Sequence, residues 1–152
     1  MGECTVSQDP GRYDSLKLEN QLCFPLYACA RQVVRRYTPV LKDLDLSYTQ
    51  YITLLVLWED RCVSVKTLGE RLYLDSGTLT PVLKSLEAKG LVERSRCRDD
   101  ERVLLVCPSE TGWQLREKAL VIPRSLVSCL PLGAEESGAL CRLLWKLLEA
   151  EN

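Results

Sequence analysis

Between Leu16 and Tyr37, apolar side chains recur at Leu22, Leu26, Ala30, Val33, Val34 and Tyr37, the one-stripe spacing of an amphipathic helix. Pro25 lies inside the stripe without a backbone donor, so the helix either begins near Cys23 or bends there; Pro39 is expected to break the run. A second helix is predicted over LSYTQYITLLVLWED, where Ser47 with Gln50 three residues on has the form of a capping box. VSVKTLGERLYL gives a short helix with Leu68 and Leu72 one turn apart. In DSGTLTPVLKSLEAKG, Leu79, Val82, Leu83 and Leu86 face inward and Gly90 is the stop signal. That helix is expected to start near Asp75 to Thr78, so that Pro81 falls in its first turn. LVERSRC and RVLLVC are β-prone runs on either side of RDDE and read as a hairpin. Pro108 and Ser109 restart the chain as a helix through about Ile122, and Pro123 interrupts it. A last helix carries Leu140, Leu143, Leu144, Leu147 and Leu148 on one broad face.

This order of elements is mainly α (α+β), the order of a winged helix-turn-helix with long N- and C-terminal helices left over as candidates for dimerisation. Residues 1–15 read as a flexible leader and 16–152 as one domain. Within it, about 48–107 form the winged part, and about 16–45 and 109–152 the dimerisation helices.

Composition narrows the classes. No apolar run approaches the ~20 residues that span a bilayer, and the N-terminus lacks a basic segment followed by an apolar one, so a cytoplasmic protein without a membrane role is expected. The net charge of −1 neither favours nor excludes nucleic acid. Eight cysteines, at 4, 23, 29, 62, 97, 107, 129 and 141, show no close pairing, and there is no histidine. Zinc and thioredoxin spacings are thereby excluded, and no metal or other cofactor is expected. Most of the cysteines read as small hydrophobes.

On the fourth predicted helix the apolar face leaves Ser76, Gly77, Thr78, Thr80, Pro81 and Lys84 outward. Such a small, polar face with one cation fits a DNA major groove, where hydroxyls meet base edges or phosphates and lysine neutralises a phosphate. In the hairpin, Arg94, Arg96, Arg98 and Arg102 are expected to cluster at the tip, where an arginine reaches a narrow minor groove. Six basic residues against five acidic ones between Ser76 and Arg102 make placement the argument, not bulk charge. Asp100 would hold an arginine in position there. The competing reading of both surfaces is an ordinary solvated face.

The strings LENQLCF, YTQYITLLVLWE, LGERLYLDSGTLTPVLKSLEAKGLV and DDER closely resemble the organic-hydroperoxide-sensing branch of the MarR family of bacterial repressors. The resemblance runs from about Leu16 to Leu126. It implies a homodimer on a pseudo-palindromic double-stranded operator, with one winged domain per half-site. Carried over by motif position, the helix contacts are Ser76, Gly77, Thr78, Thr80, Pro81 and Lys84, and the wing contacts Arg94 and Arg102, with Asp100 as the orienting acid.

The same resemblance makes Cys23 the peroxide sensor. Tyr27, one turn on, would line its pocket, and Tyr37 and Tyr48 match tyrosines that donate to the sulfur, one of them from the partner subunit. Attack of the thiolate on an organic hydroperoxide would give a sulfenic acid that condenses with a second thiol. That thiol is either Cys129, in the region where a resolving cysteine is expected, or a low-molecular-weight thiol. The rivals are a MarR-type regulator answering a small aromatic ligand or another electrophile, a thiol peroxidase, and an interaction module without a DNA role.

Overall fold

The computed structural model describes Gly11, residues 13–123 and residues 131–150. Two short 3-10 turns, Asp14–Leu16 and Leu18–Asn20, lead into α1 (Cys23–Lys42). The chain continues through α2 (Tyr48–Asp60), β1 (Val63–Ser64), α3 (Val65–Leu72), α4 (Ser76–Ala88), β2 (Val92–Arg96), β3 (Leu104–Pro108), α5 (Glu110–Ala119) and α6 (Ala134–Glu149).

Local chemistry sets most of these boundaries. The Ser47 hydroxyl accepts from the Gln50 N–H at 3.2 Å while the Gln50 side chain accepts from the Ser47 N–H at 2.9 Å, so both halves of the capping box form. Ser64, Asp75 and Ser109 cap α3, α4 and α5 with their side chains alone, each accepting from the backbone N–H three residues on. The end of α4 is a left-handed glycine stop. Gly90 has φ +68°, its N–H donates to the Glu87 carbonyl, and the Leu91 N–H reaches the Leu86 carbonyl at 3.0 Å.

Several expectations are corrected. Helix α1 starts at Cys23, the first of the two alternatives, which puts Pro25 in the first turn where a missing donor costs nothing; contrary to expectation, it then runs through Pro39 to Lys42 without breaking. Pro81 is the sixth residue of α4, in its second turn, because Asp75 is the cap. The ring removes the donor that would bond the Gly77 carbonyl, on an exposed surface where that carbonyl is not buried. The break after α5 falls at Leu120, and Pro123 sits in the first turn of a new helical segment. The hairpin is also part of a three-stranded antiparallel sheet of order β1-β3-β2, with Val63 opposite Val106 and Arg94 opposite Val106 on the other side.

Helix α2 is the centre of the winged part. It buries Tyr51, Leu54, Val56, Leu57 and Trp58 and packs against α1, α3, α4, α5 and β3. Leu68, Leu79, Leu83, Leu86, Val92, Val106 and Ile122 complete the core around it. Burial at this density, about 25 cal/mol per Å² of apolar surface, holds α3 and α4 as a rigid pair. Their approach needs a residue without a side chain: a Cβ on Gly69 would lie 2.8 Å from the Leu74 carbonyl oxygen.

The terminal helices contrast with this. Helix α1 buries only Leu41 and α6 buries nothing, while Leu22, Phe24, Tyr27, Val34, Leu140, Leu143, Leu144, Trp145, Leu147 and Leu148 are exposed. Amphipathic helices with uncovered apolar stripes are built to pack on something else.

Candidate functional site

Helix α4 presents Ser76, Gly77, Thr78, Thr80, Pro81 and Lys84 to solvent together, as its spacing predicts. Hydrogen bonding divides their roles. The Thr78 N–H and hydroxyl both donate to the Asp75 carboxylate at 2.8 Å, and the Thr80 hydroxyl donates to the Ser76 carbonyl at 2.6 Å. These bonds from Thr78 hold the Asp75 carboxyl below the usual range. The threonines therefore offer acceptor lone pairs and methyl groups outward, and the Ser76 hydroxyl and the Lys84 ammonium are left as the donors.

The wing separates its arginines. Arg94 is not at the tip: its Nε donates to Glu87 of α4 at 3.0 Å, and an Nη reaches the same oxygen. Two charge-assisted bonds hold the Arg94 guanidinium above its ordinary pKa and the Glu87 carboxyl below its own. Arg94 thus braces the wing to α4. Asp100 accepts from the Arg102 backbone N–H at 2.9 Å, so it shapes the turn without gripping a guanidinium. Arg96 donates to the Glu101 carbonyl at 3.1 Å. Arg98 and Arg102 are exposed and make no ion pair among the described residues, which leaves them as the free cations of the tip.

Cys23 is the first residue of α1 and is an exposed free thiol. Tyr27, one turn on, is exposed, and its hydroxyl accepts from Arg31 at 3.1 Å while the guanidinium lies over its ring. Tyr37 packs instead against Tyr48 and Tyr51, with ring centroids 4.8 and 5.9 Å away. Burial raises the pKa of all three phenols, so each is a neutral O–H donor. Fourteen residues of helix separate Cys23 from Tyr37, about 21 Å of rise. Within one chain the sulfur and this phenol cluster do not meet. Cys129 lies outside the described residues.

Sequence reasoning missed Tyr51, Glu87 and a cysteine pair. Tyr51 follows Tyr48 by three residues on α2, a spacing that signals a shared face. Cys62 and Cys107 form a disulfide with Cα atoms 4.3 Å apart, where the sequence reads most of the cysteines as small hydrophobes. Nothing in their separation of 45 residues signals this; it follows from strand register.

Comparison with known proteins identifies the family. Residues 35–118 match the family model described as transcriptional regulator SarA/Rot. The organic hydroperoxide resistance transcriptional regulator of Bacillus subtilis (strain 168) is 46% identical over 138 residues, covering 91% of this chain and 94% of that protein. Among solved structures, reduced AbfR bound to DNA superposes with a TM-score of 0.75 at 34% identity, covering 90% of this chain and 93% of the other; AbfR is a protein of Staphylococcus epidermidis. AbfR with a disulfide formed superposes at 0.62 with 35% identity, covering 93% and 99%. Wild-type MarR from E. coli in its apo form gives 0.70 at 27% identity, covering 84% and 97%. No helix among the described residues is long and apolar enough to cross a membrane. With its central helix, helix-turn-helix and three-stranded wing, the chain belongs to the MarR/SarA family of winged helix-turn-helix transcriptional regulators and is not an enzyme.

Proposed function

We propose that this regulator is a cytoplasmic homodimeric repressor that senses organic hydroperoxides through Cys23 and releases a pseudo-palindromic operator when Cys23 is oxidised. The observation that carries the reading is the position of Cys23: an exposed thiol at the N-terminus of a helix whose apolar stripe has no cover in the single chain. A helix start suits developing negative charge. A second subunit laid along α1 and α6 would cover the stripes, and it is the means by which buried phenols 21 Å away in the same chain, at about 1.5 Å per residue, could reach the sulfur from the partner. The 46% identity to an organic hydroperoxide resistance regulator supports the choice of oxidant. The disulfide form of AbfR supports thiol chemistry as the switch.

In the proposed reaction the Cys23 thiolate attacks the peroxide's terminal oxygen, the O–O bond breaks, and an alcohol leaves after taking up a proton. The sulfenic acid then condenses with a second thiol, releasing water. That thiol is Cys129 of the partner subunit or a low-molecular-weight thiol. Either product wedges new atoms into the interface that sets the spacing of two α4 helices, and half-sites about one DNA turn apart tolerate little rotation.

The test uses an operator selected from random duplexes. One equivalent of an alkyl hydroperoxide should release wild-type protein, and peptide mapping should place the modification on Cys23. Release that persists in Cys23→Ser removes the sensor assignment.

A further inference from the structure

We propose that Cys62 and Cys107 are a second redox site, a cross-strand thiol–disulfide couple that exchanges with low-molecular-weight thiols and disulfides bearing carboxylates. The inference stands apart from the Cys23 reading and uses different residues.

Register brings the two sulfurs together. Val63 of β1 faces Val106 of β3 and Ser64 faces Leu105, so one step outward Cys62 faces Cys107. Their 4.3 Å Cα separation is that of a directly opposed antiparallel pair. When the bond is open, the sheet still holds both Cβ atoms adjacent, and closure requires no rearrangement. The pair lies where reagents reach it: Cys62 is exposed and Cys107 half-buried. Both line an open cleft with Trp58, Trp113, Arg61 and Arg116. Glu59 also lines it, but its carboxylate is held by Arg71 at 2.8 Å. Arg61 and Arg116 make no ion pair among the described residues, although Arg116 lies over the Trp113 ring. Glu59 and Asp60 share the single Arg71, so Arg61 and Arg116 still leave the cleft net positive, which attracts an anionic reagent.

The exchange balances as two displacements. The Cys62 thiolate attacks a disulfide RSSR, forming a mixed disulfide and expelling one RS⁻. The Cys107 thiolate then attacks the Cys62 sulfur and expels the second RS⁻, and each leaving thiolate takes up the proton its protein thiol gave up. Two protein thiols are oxidised and one RSSR becomes two RSH; excess RSH drives the reverse. In a DNA-binding regulator a disulfide meets a thiol-rich compartment, where such bonds are transient or sensory.

The bond has a structural target. Cys62 precedes β1, and Ser64 of β1 caps α3 by accepting from the Thr67 N–H at 3.0 Å. The segment between the cysteines contains α3, α4 and β2. Closing the bond therefore ties both ends of the DNA-reading segment to one point and fixes its two-residue edge strand.

The experiment equilibrates native full-length protein, wild type and Cys23→Ser, in glutathione buffers of graded ratio, followed by alkylation and peptide mapping. A Cys62–Cys107 cross-linked peptide should dominate in oxidised buffer and both cysteines should be alkylated in reduced buffer. The midpoint should follow the squared concentration of reduced glutathione divided by the concentration of oxidised glutathione, alike in both proteins. Hydrogen exchange at Val63 should be about tenfold slower in the closed form. Cystamine, a cationic disulfide, should close the bond several-fold more slowly than oxidised glutathione. A cross-link that never forms, or one that opens only in denaturant, overturns the couple. Unchanged exchange at β1 overturns its structural role, and an equal or faster rate with cystamine overturns the reagent class.

Discussion

Glu87, near the end of α4, takes both the Nε of Arg94, at 3.0 Å, and one of its terminal nitrogens from β2, so that the reading helix and the wing share one ion pair. Two nitrogens converge on one carboxylate oxygen and the pair is partly shielded, unlike the solvated pairs that contribute little. Glu87→Gln keeps the shape and removes the charge. The expected outcome is a wing that moves more freely, read as faster proteolysis at the tip with α4 still folded. Because the folded Glu87 pKa lies below its ordinary 4.5, the stabilisation is complete above that value and is lost as pH falls through the lower folded value. Acid titration of thermal stability should therefore show a smaller decline below pH 4.5 in the variant than in the wild type.

Gly112 fixes the junction between α5 and the start of the wing. A Cβ there would lie 2.1 Å from the Leu91 carbonyl oxygen, and the Gly112 carbonyl accepts from the buried Trp58 indole at 2.9 Å. Neither backbone partner yields easily, since Ser109 also bonds the Gly90 and Leu91 carbonyls. Gly112→Ala should cost about 3 kcal/mol, measured by urea unfolding. A loss below about 1 kcal/mol would mean that α5 shifts without penalty.

What was legible in the sequence was local. The Ser47–Gln50 box, the start of α4 between Asp75 and Thr78 and the Gly90 stop each need only a few adjacent residues, and all form. β1 escaped because two residues carry no period, and its strand character comes from pairing with β3. Cys62 and Cys107 escaped for the same reason, being joined by register across 45 positions. Arg94 was placed at the tip because all wing arginines look alike in sequence; only its pairing with Glu87 tells it from Arg102. The proposed meeting of Cys23 with phenols would need a second chain, which no periodicity within one helix encodes.

Lys84 and Arg102 should be separable from Arg94 by salt. Both are exposed without an ion pair among the described residues, so their charges are available to phosphates and their loss should leave the fold intact. Each phosphate contact contributes roughly 0.9 to the slope of log K against log salt, so a dimer lacking both copies should lose roughly 2. Lys84→Ala and Arg102→Ala should each show this in fluorescence anisotropy titrations on the selected operator, with unchanged melting temperature. Arg94→Ala should instead lower both affinity and melting temperature, because it removes a brace.

The phenol cluster gives the sharpest test of the proposed activation of Cys23. Tyr37, Tyr48 and Tyr51 are held together by ring packing that phenylalanine would preserve, so hydroxyl deletion isolates the donor role. Burial raises all three pKa values above the ordinary 10.0. The sign follows: the protonated phenols are the folded form's preference, their stabilisation is complete below pH 10.0, and it is lost as pH rises through the raised values. Below that range the donors are fully protonated, so any pH dependence of Cys23 oxidation there belongs to the thiol itself. Tyr37→Phe and Tyr48→Phe should each slow reaction with an alkyl hydroperoxide about 10- to 100-fold, the loss of one charge-assisted hydrogen bond. Stopped-flow kinetics of dimer and of monomer-forming variants checks this. If the phenols act across the subunit interface, an α6 variant such as Leu144→Glu that abolishes dimers should slow oxidation as much as the double Phe variant does. Equal rates in monomer and dimer would mean that the phenols serve packing alone.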